Sequence, residues 1–279
     1  MKYKALFITL AALALTSCSS NKLKDQTPDE KKAEVYYGQG TTELVNKDYQ
    51  ASLNHLLKAK ELNSKDSKIR NNLGMAYYFR NQTALAEEEL KKAIDLDEKN
   101  SDARLNLGSL YMDNKKIKEA RAQFEKVSED LTYQAQFRNL YNLALLSLNE
   151  GDRRMAFDYL AKSIQENNDY CPAHYKLGEM YAEEYRFQQA LDAFKESGKG
   201  TCVSDPAPLY QIAITLVNLN RPTEAKMMFQ EIMEKFPSTR YGTLAAVQIK
   251  KISNSNEEQS IRTRTELMKQ SDPVETPNF

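Results

Sequence analysis

Tryptophan is absent from this 279-residue chain, histidine occurs twice and cysteine three times. So small a stock of His and Cys leaves little material for a metal centre or a paired nucleophile. The two histidines, His55 and His174, lie far apart in the sequence. His174 is three residues from Cys171, but no fourth ligand accompanies them. No GxSxG, HExxH or phosphate-cradling glycine loop occurs, so catalysis and cofactors find no support and the chain reads as a non-enzyme. Excess positive charge is also missing: 39 Lys and Arg face 39 Asp and Glu. That excludes nucleic acid, where clustered positive charge supplies most of the affinity. Glycine (9) and proline (8) are scarce, which leaves room for long uninterrupted helices. No apolar run reaches the length of a membrane span. What is plentiful is charge, at 28%, beside 41% hydrophobic residues. With a mean hydropathy of −0.68, this fits helices that each bury one stripe.

The longest apolar stretch, "ALFITLAALAL" at 5–15, follows Lys2 and Lys4 and has the size of a signal-peptide core. Leu15-Thr16-Ser17-Cys18 comes next and resembles the bacterial lipobox. The resemblance implies removal of residues 1–17 and acylation of Cys18, which becomes the mature N-terminus. The alternative is an ordinary secretory peptide cleaved nearby. More than one acyl chain holds a protein on a membrane where a single chain does so only marginally. Ser19, rather than Asp, resembles the sorting pattern for the outer membrane of a Gram-negative cell. Without Lys2 and Lys4 the mature chain has 37 basic against 39 acidic residues. Residues 18–32, including "NKLKDQTPDEKK", read as a lipidated flexible tether.

The rest of the chain repeats itself. "RNNLGMAYY" (70–78), "RLNLGSLYM" (104–112), "LYNLALLSL" (140–148), "HYKLGEMYA" (174–182) and "LYQIAITLV" (209–217) align on Gly74, Gly108, Ala144, Gly178 and Ala213. Those small residues are 34, 36, 34 and 35 apart, and Gly40 lies another 34 upstream. Twelve residues after each comes a second small one: Ser52, Ala86, Ala120, Ala156, Ala190, Ala225. Four later comes a large apolar one: Leu56, Leu90, Phe124, Leu160, Phe194, Phe229. Turn residues fall between, at Asn46, Asn81, Asn114, Gly151-Asp152 and Asn220. This pattern resembles the tetratricopeptide repeat, a helix–turn–helix in which small residues let helix A approach helix B. The expected fold is an all-α solenoid of six repeats: 33–66, 67–100, 101–136, 137–170, 171–205 and 206–239. Gln39 and Glu43, where apolar residues belong, suit an end repeat. Only the last copy has the family's closing proline, Pro237. Residues 240–252 have helical apolar spacing and are expected to cap the array. The polar stretch 253–279 is expected to be disordered.

With Cys18 assigned to lipid, Cys171 and Cys202 remain. Cys171 opens the fifth repeat, and Cys202 lies in the inserted loop before the sixth. Adjacent repeats set the starts of their A helices side by side, so the loop can bring the thiols together. An oxidising periplasm would close such a pair; two free thiols are the alternative.

In the repeat family, positions five and six of helix A face the concave groove. Position five holds Tyr37, Asn71, Leu105, Tyr141, Tyr175 and Tyr210. Position six, from the second repeat on, holds Asn72, Asn106, Asn142, Lys176 and Gln211. A ladder of carboxamides can hold an extended peptide by its backbone, and tyrosines add broad rigid contact. The competing reading makes the asparagines repeat consensus and the tyrosines inter-repeat packing. The lipobox, tether, six repeats and late cysteine pair together resemble the pilotin-like type IV pilus biogenesis lipoproteins. That resemblance implies a lipid-anchored outer-membrane adaptor, facing the periplasm, for secretin subunits. A scaffold for β-barrel assembly or cell-wall enzymes is the alternative.

Overall fold

The structure is a computed structural model that describes residues 26–270. Cys18, the leader before it and the last residues, 271–279, lie outside the described part. The described chain is helical, without strands: α1 (Pro28–Val45), α2 (Tyr49–Leu62), α3 (Ser67–Phe79), α4 (Thr83–Leu96), α5 (Ser101–Asp113), α6 (Ile117–Glu129), α7 (Gln136–Asn149), α8 (Arg153–Glu166), α9 (Cys171–Glu183), α10 (Phe187–Ser197), α11 (Pro206–Asn218), α12 (Pro222–Lys235) and α13 (Arg240–Gln270). Consecutive helices pair as A and B of six repeats, and α13 packs on α12 and α11. One 3-10 turn, Gly200–Cys202, interrupts the loop before α11.

The spacing of small and large residues acts directly in the packing. Leu56, Leu90, Phe124, Leu160, Phe194 and Phe229 are all fully or almost fully buried between their A and B helices. A Cβ added to Gly108 would stand 2.5 Å from Phe124 Cε1, and one on Gly178 would stand 2.7 Å from Phe194 Cδ1. Gly40 and Gly74 meet Leu56 and Leu90 at 2.7 Å in the same way. A methyl therefore does not fit in these four repeats, while Ala144 and Ala213 carry one opposite Leu160 and Phe229. The first repeat's Ser52 has a hydroxyl in the same seam, and it donates to Gly40 O at 2.8 Å.

Each A-to-B turn passes through one residue with positive φ: Lys47, Asn81, Lys115, Gly151, Tyr185 and Asn220. Asn81, Gly151 and Asn220 are the turn residues expected. In the first and third repeats the left-handed residue is one later than Asn46 and Asn114, and the fifth repeat uses Tyr185. The tight helix pair imposes the conformation whatever the residue type.

Two boundaries differ from expectation. Residues 28–32, expected within the tether, are helical, because α1 begins at Pro28. Thr27 and Glu30 form a reciprocal capping box there, with proline at the first helical position. At the other end α13 does not stop at residue 252 and the following segment is not wholly disordered: the helix continues to Gln270, about 46 Å in length at the usual rise. Ala245 and Ile252 are buried apolar residues of α13 in the core it shares with the sixth repeat.

A charged cluster ties the first two repeats together. Glu89 is 5% exposed, and it accepts from Lys60 Nζ and Arg70 Nη1, each at 2.8 Å. Both oxygens are thus matched, which a buried carboxylate requires.

Candidate functional site

Positions five and six of helix A stand side by side across repeats, and their polar atoms bond to one another. Asn72 Nδ2 donates to Thr41 Oγ1 of the first repeat (2.8 Å), and Asn71 Nδ2 donates to Asn72 Oδ1 (3.1 Å). Asn106 Nδ2 reaches back to Asn71 Oδ1 at 2.8 Å, and Asn142 Nδ2 to Ser109 Oγ at 3.0 Å. Gln211 Nε2 donates to the Tyr175 hydroxyl at 3.2 Å. The carboxamide donors expected to grip a partner therefore face neighbouring repeats. Within this network no donor reaches Asn106 Oδ1 or Asn142 Oδ1 from the described residues. Lys176 takes part in no such rung; its ammonium lies on Glu179, one turn along α9.

Leu105 does not belong in a partner-binding set. At 1% exposure it sits in the core between the second and third repeats. An apolar residue at position five of a middle repeat is drawn into the seam by its neighbours. Asn71 is buried as well, which leaves Asn72, Asn106, Asn142, Lys176, Tyr210 and Gln211 part-exposed beside Tyr141 and Tyr175.

The tyrosines pack by their edges. Tyr141 meets Tyr170 edge-on at 5.6 Å between ring centroids, Tyr175 meets Phe194 at 5.5 Å, and Tyr210 lies 5.5 Å from Tyr241 of α13. Burial raises the pKa of the Tyr141 hydroxyl, and the Glu179 charge adds to the effect. For Tyr175 burial again raises it most; the Gln211 bond opposes, and Glu179, Tyr241 and Asp205 add to the rise.

Tyr141 and Tyr175 open onto a pocket of about 320 Å³ formed where the fourth, fifth and sixth repeats meet α13. Cys171 and Cys202 are joined in its wall, with Cα atoms 6.2 Å apart and a sequence separation of 31. Asp205, Pro208 and Tyr241 also belong to the lining. Sequence reasoning passed over these three. Asp205 was legible as the residue before Pro206, and its carboxylate caps α11 by accepting from Ala207 N at 2.9 Å. Thr41 and Ser109 were also passed over; both are hydroxyls three positions after position six, on the same helical face.

Among the described residues no group of three His, Cys, Asp or Glu side chains is placed to hold a metal ion. No described helix is long and apolar enough to cross a membrane. His55 pairs with Glu43 at 2.7 Å, and His174 bonds Asn168 O at 2.9 Å. Each is thus held within its own repeat or at the end of the preceding one.

Two tetratricopeptide repeat family models match the sequence, over residues 80–143 and 209–239. No curated protein matches it. Solved structures of similar fold include PilF of Pseudomonas aeruginosa, at 19% identity over 80% of this chain and 100% of the other, with a TM-score of 0.63. PilW, described as a widely conserved type IV pilus biogenesis factor, is 17% identical over 77% of this chain and 98% of its own, with a TM-score of 0.64. The Cut9–Hcn1 hetero-tetramer reaches 0.67 at 17% identity, covering 83% of this chain and 44% of that one. At these identities the likeness is one of fold. Six helix pairs that seat a small residue against a large one, with family models matching inside the array, give this chain the tetratricopeptide-repeat fold.

Proposed function

We propose that the chain is an outer-membrane lipoprotein adaptor, anchored through acylated Cys18. Its A-helix face binds unassembled subunits of a type IV pilus secretin and promotes their targeting and multimer assembly. The observation that carries the binding role is the continuous A-helix face, where Tyr141 and Tyr175 open onto a pocket shared by three repeats. Three further features support the assignment. The Leu15-Thr16-Ser17-Cys18 box fits acylation, and the joined Cys171 and Cys202 fit an oxidising envelope compartment. The fold similarity to PilF and PilW, the second a pilus biogenesis factor, fits the secretin partner.

No chemical step is required. An adaptor that holds the subunit more tightly than the finished multimer shifts assembly by differential binding alone. The lipid sets the place and the groove sets the partner. Capture from detergent-solubilised envelope, followed by identification of the bound proteins, tests this reading. Secretin subunits are the expected product, together with loss of multimeric secretin in a deletion strain. Recovery of β-barrel assembly or cell-wall proteins, with normal secretin multimers, would overturn it in favour of a general envelope scaffold.

A further inference from the structure

The pocket between the fourth and sixth repeats has a marked chemical bias. Tyr141, Tyr175 and Tyr241 come from α7, α9 and α13, and Asp205 supplies the charged group in the lining. No Lys, Arg or His belongs to that lining. Two basic residues adjoin the lining in sequence: Lys176, beside Tyr175, is folded onto Glu179, and Arg240, beside Tyr241, is exposed outside the pocket. Elsewhere in the molecule tyrosine faces carry cations from the same chain. Arg186 lies 4.4 Å from the Tyr181 ring centre, Lys116 lies 5.2 Å from Tyr111, and Lys58 lies 5.5 Å from Tyr36. None of the cation–ring contacts found among the described residues involves Tyr141, Tyr175 or Tyr241.

A cavity of about 320 Å³ is at the small end for ligand sites, suited to one long side chain rather than a helix. Aromatic faces are negative, and a carboxylate at the rim adds to that field. We propose that this pocket receives an arginine side chain from the partner segment, its guanidinium stacked on the tyrosines and paired with Asp205. The planar guanidinium both stacks and bonds a carboxylate, which an ammonium does less well. Burial raises the pKa values of Tyr141 and Tyr175 most; the smaller contributions of the Glu179 charge to both, and of Asp205 to Tyr175, agree with a negative local field. This assignment rests on reading the A-helix face as the partner-binding surface, and it names the residue that surface selects.

The full chain, purified oxidised in detergent with isotope-labelled tyrosines, can be titrated with a blocked Ala-Arg-Ala tripeptide while ring resonances are followed by NMR. Saturable shifts at Tyr141, Tyr175 and Tyr241 are expected. Ala-Leu-Ala and Ala-Glu-Ala should bind at least about fivefold more weakly. Asp205→Asn removes the charge and keeps the helix cap, because asparagine caps as well as aspartate; it should weaken the arginine peptide about threefold or more with an unchanged melting temperature. Equal or tighter binding of the leucine or glutamate peptide, absence of saturable shifts, or indifference to Asp205→Asn would each overturn the proposal. Secretin capture is a separate readout, so failure of the pocket and failure of the adaptor reading are told apart.

Discussion

Asn106 and Asn71 join the third repeat to the second through one bond of 2.8 Å, from the Asn106 amide to the Asn71 carbonyl oxygen. Asn71 is itself buried, so removing its partner leaves an acceptor with poor access to water. Asn106→Ala should lower stability by about 1 kcal/mol in urea unfolding. The triple change of Asn72, Asn106 and Asn142 to Ala should cost the array more stability than any single one. If partner binding falls only in proportion to that loss, the asparagines act through the scaffold and the tyrosines make the contact.

Gly108→Ala should cost about 1–3 kcal/mol, because the new methyl meets the fully buried Phe124 ring, which has little room to turn. Gly38 provides the control. A Cβ there has nothing within 4 Å, so Gly38→Ala should instead stabilise α1 by about 0.5–1 kcal/mol. Chemical denaturation of both variants checks the opposite signs.

Tyr185 has φ 59° at a turn where glycine or asparagine is the comfortable choice. Tyr185→Gly should raise stability by about 1 kcal/mol if relief of the left-handed conformation outweighs the extra freedom of the unfolded chain. The side chain is 81% exposed and stacks edge-on with Phe187, so little packing is lost. A lower melting temperature would show that the ring contact matters more than the backbone.

Alkaline pH should unfold the protein through its buried phenols. Burial pushes Tyr170 up to about 12, and burial with the hydrogen bond to Asp113 pushes Tyr78 to about 12. In the unfolded chain both ionise near the ordinary value of about 10. The stability they confer is complete below that value and is lost as pH rises through 12. Melting temperatures over this range should fall steeply for wild type and less steeply for Tyr170→Phe with Tyr78→Phe.

Reduction of the Cys171–Cys202 bond should loosen the fifth and sixth repeats before the others, since each repeat contacts only its neighbours. With the cysteines 31 positions apart, closing the loop is worth roughly 3–4 kcal/mol in the chain-entropy model. Hydrogen exchange on the reduced chain should show α9 to α12 opening first.

How much of this was legible depended on whether a residue's type advertises its role. Gly108 with Phe124, or Ser52 with Leu56, is a size pair at fixed spacing, and the repeat fold follows from it. Lys115 and Tyr185 give no hint of a left-handed turn, because the packed helices impose it. Leu105 shares its register with Tyr141 and Tyr175, yet its apolar side chain goes wholly into the seam while theirs stay part-exposed. The length of α13 was hidden for another reason. Beyond Ile252 its only apolar residues are Ile261, Leu267 and Met268, too few for a period-based reading to follow. The pocket gathers α7, α9, α11 and α13, so only the tertiary arrangement brings Asp205 and Tyr241 to it.

The steric lock also decides where such a chain can be cut and rejoined by recombination. Helix A with glycine and the helix B seated against it form one inherited part, because the distance between them is set by the atom that is missing. An exchange that broke the chain at Lys115, within the turn, could set an alanine-bearing helix against a partner seated for glycine, and the offspring would carry a clash. A break at Asp66 or Asn100, between one repeat and the next, transmits each matched pair whole. Arrays of this kind can therefore gain or lose members in steps of one entire repeat, and a half-step is selected against at the level of folding.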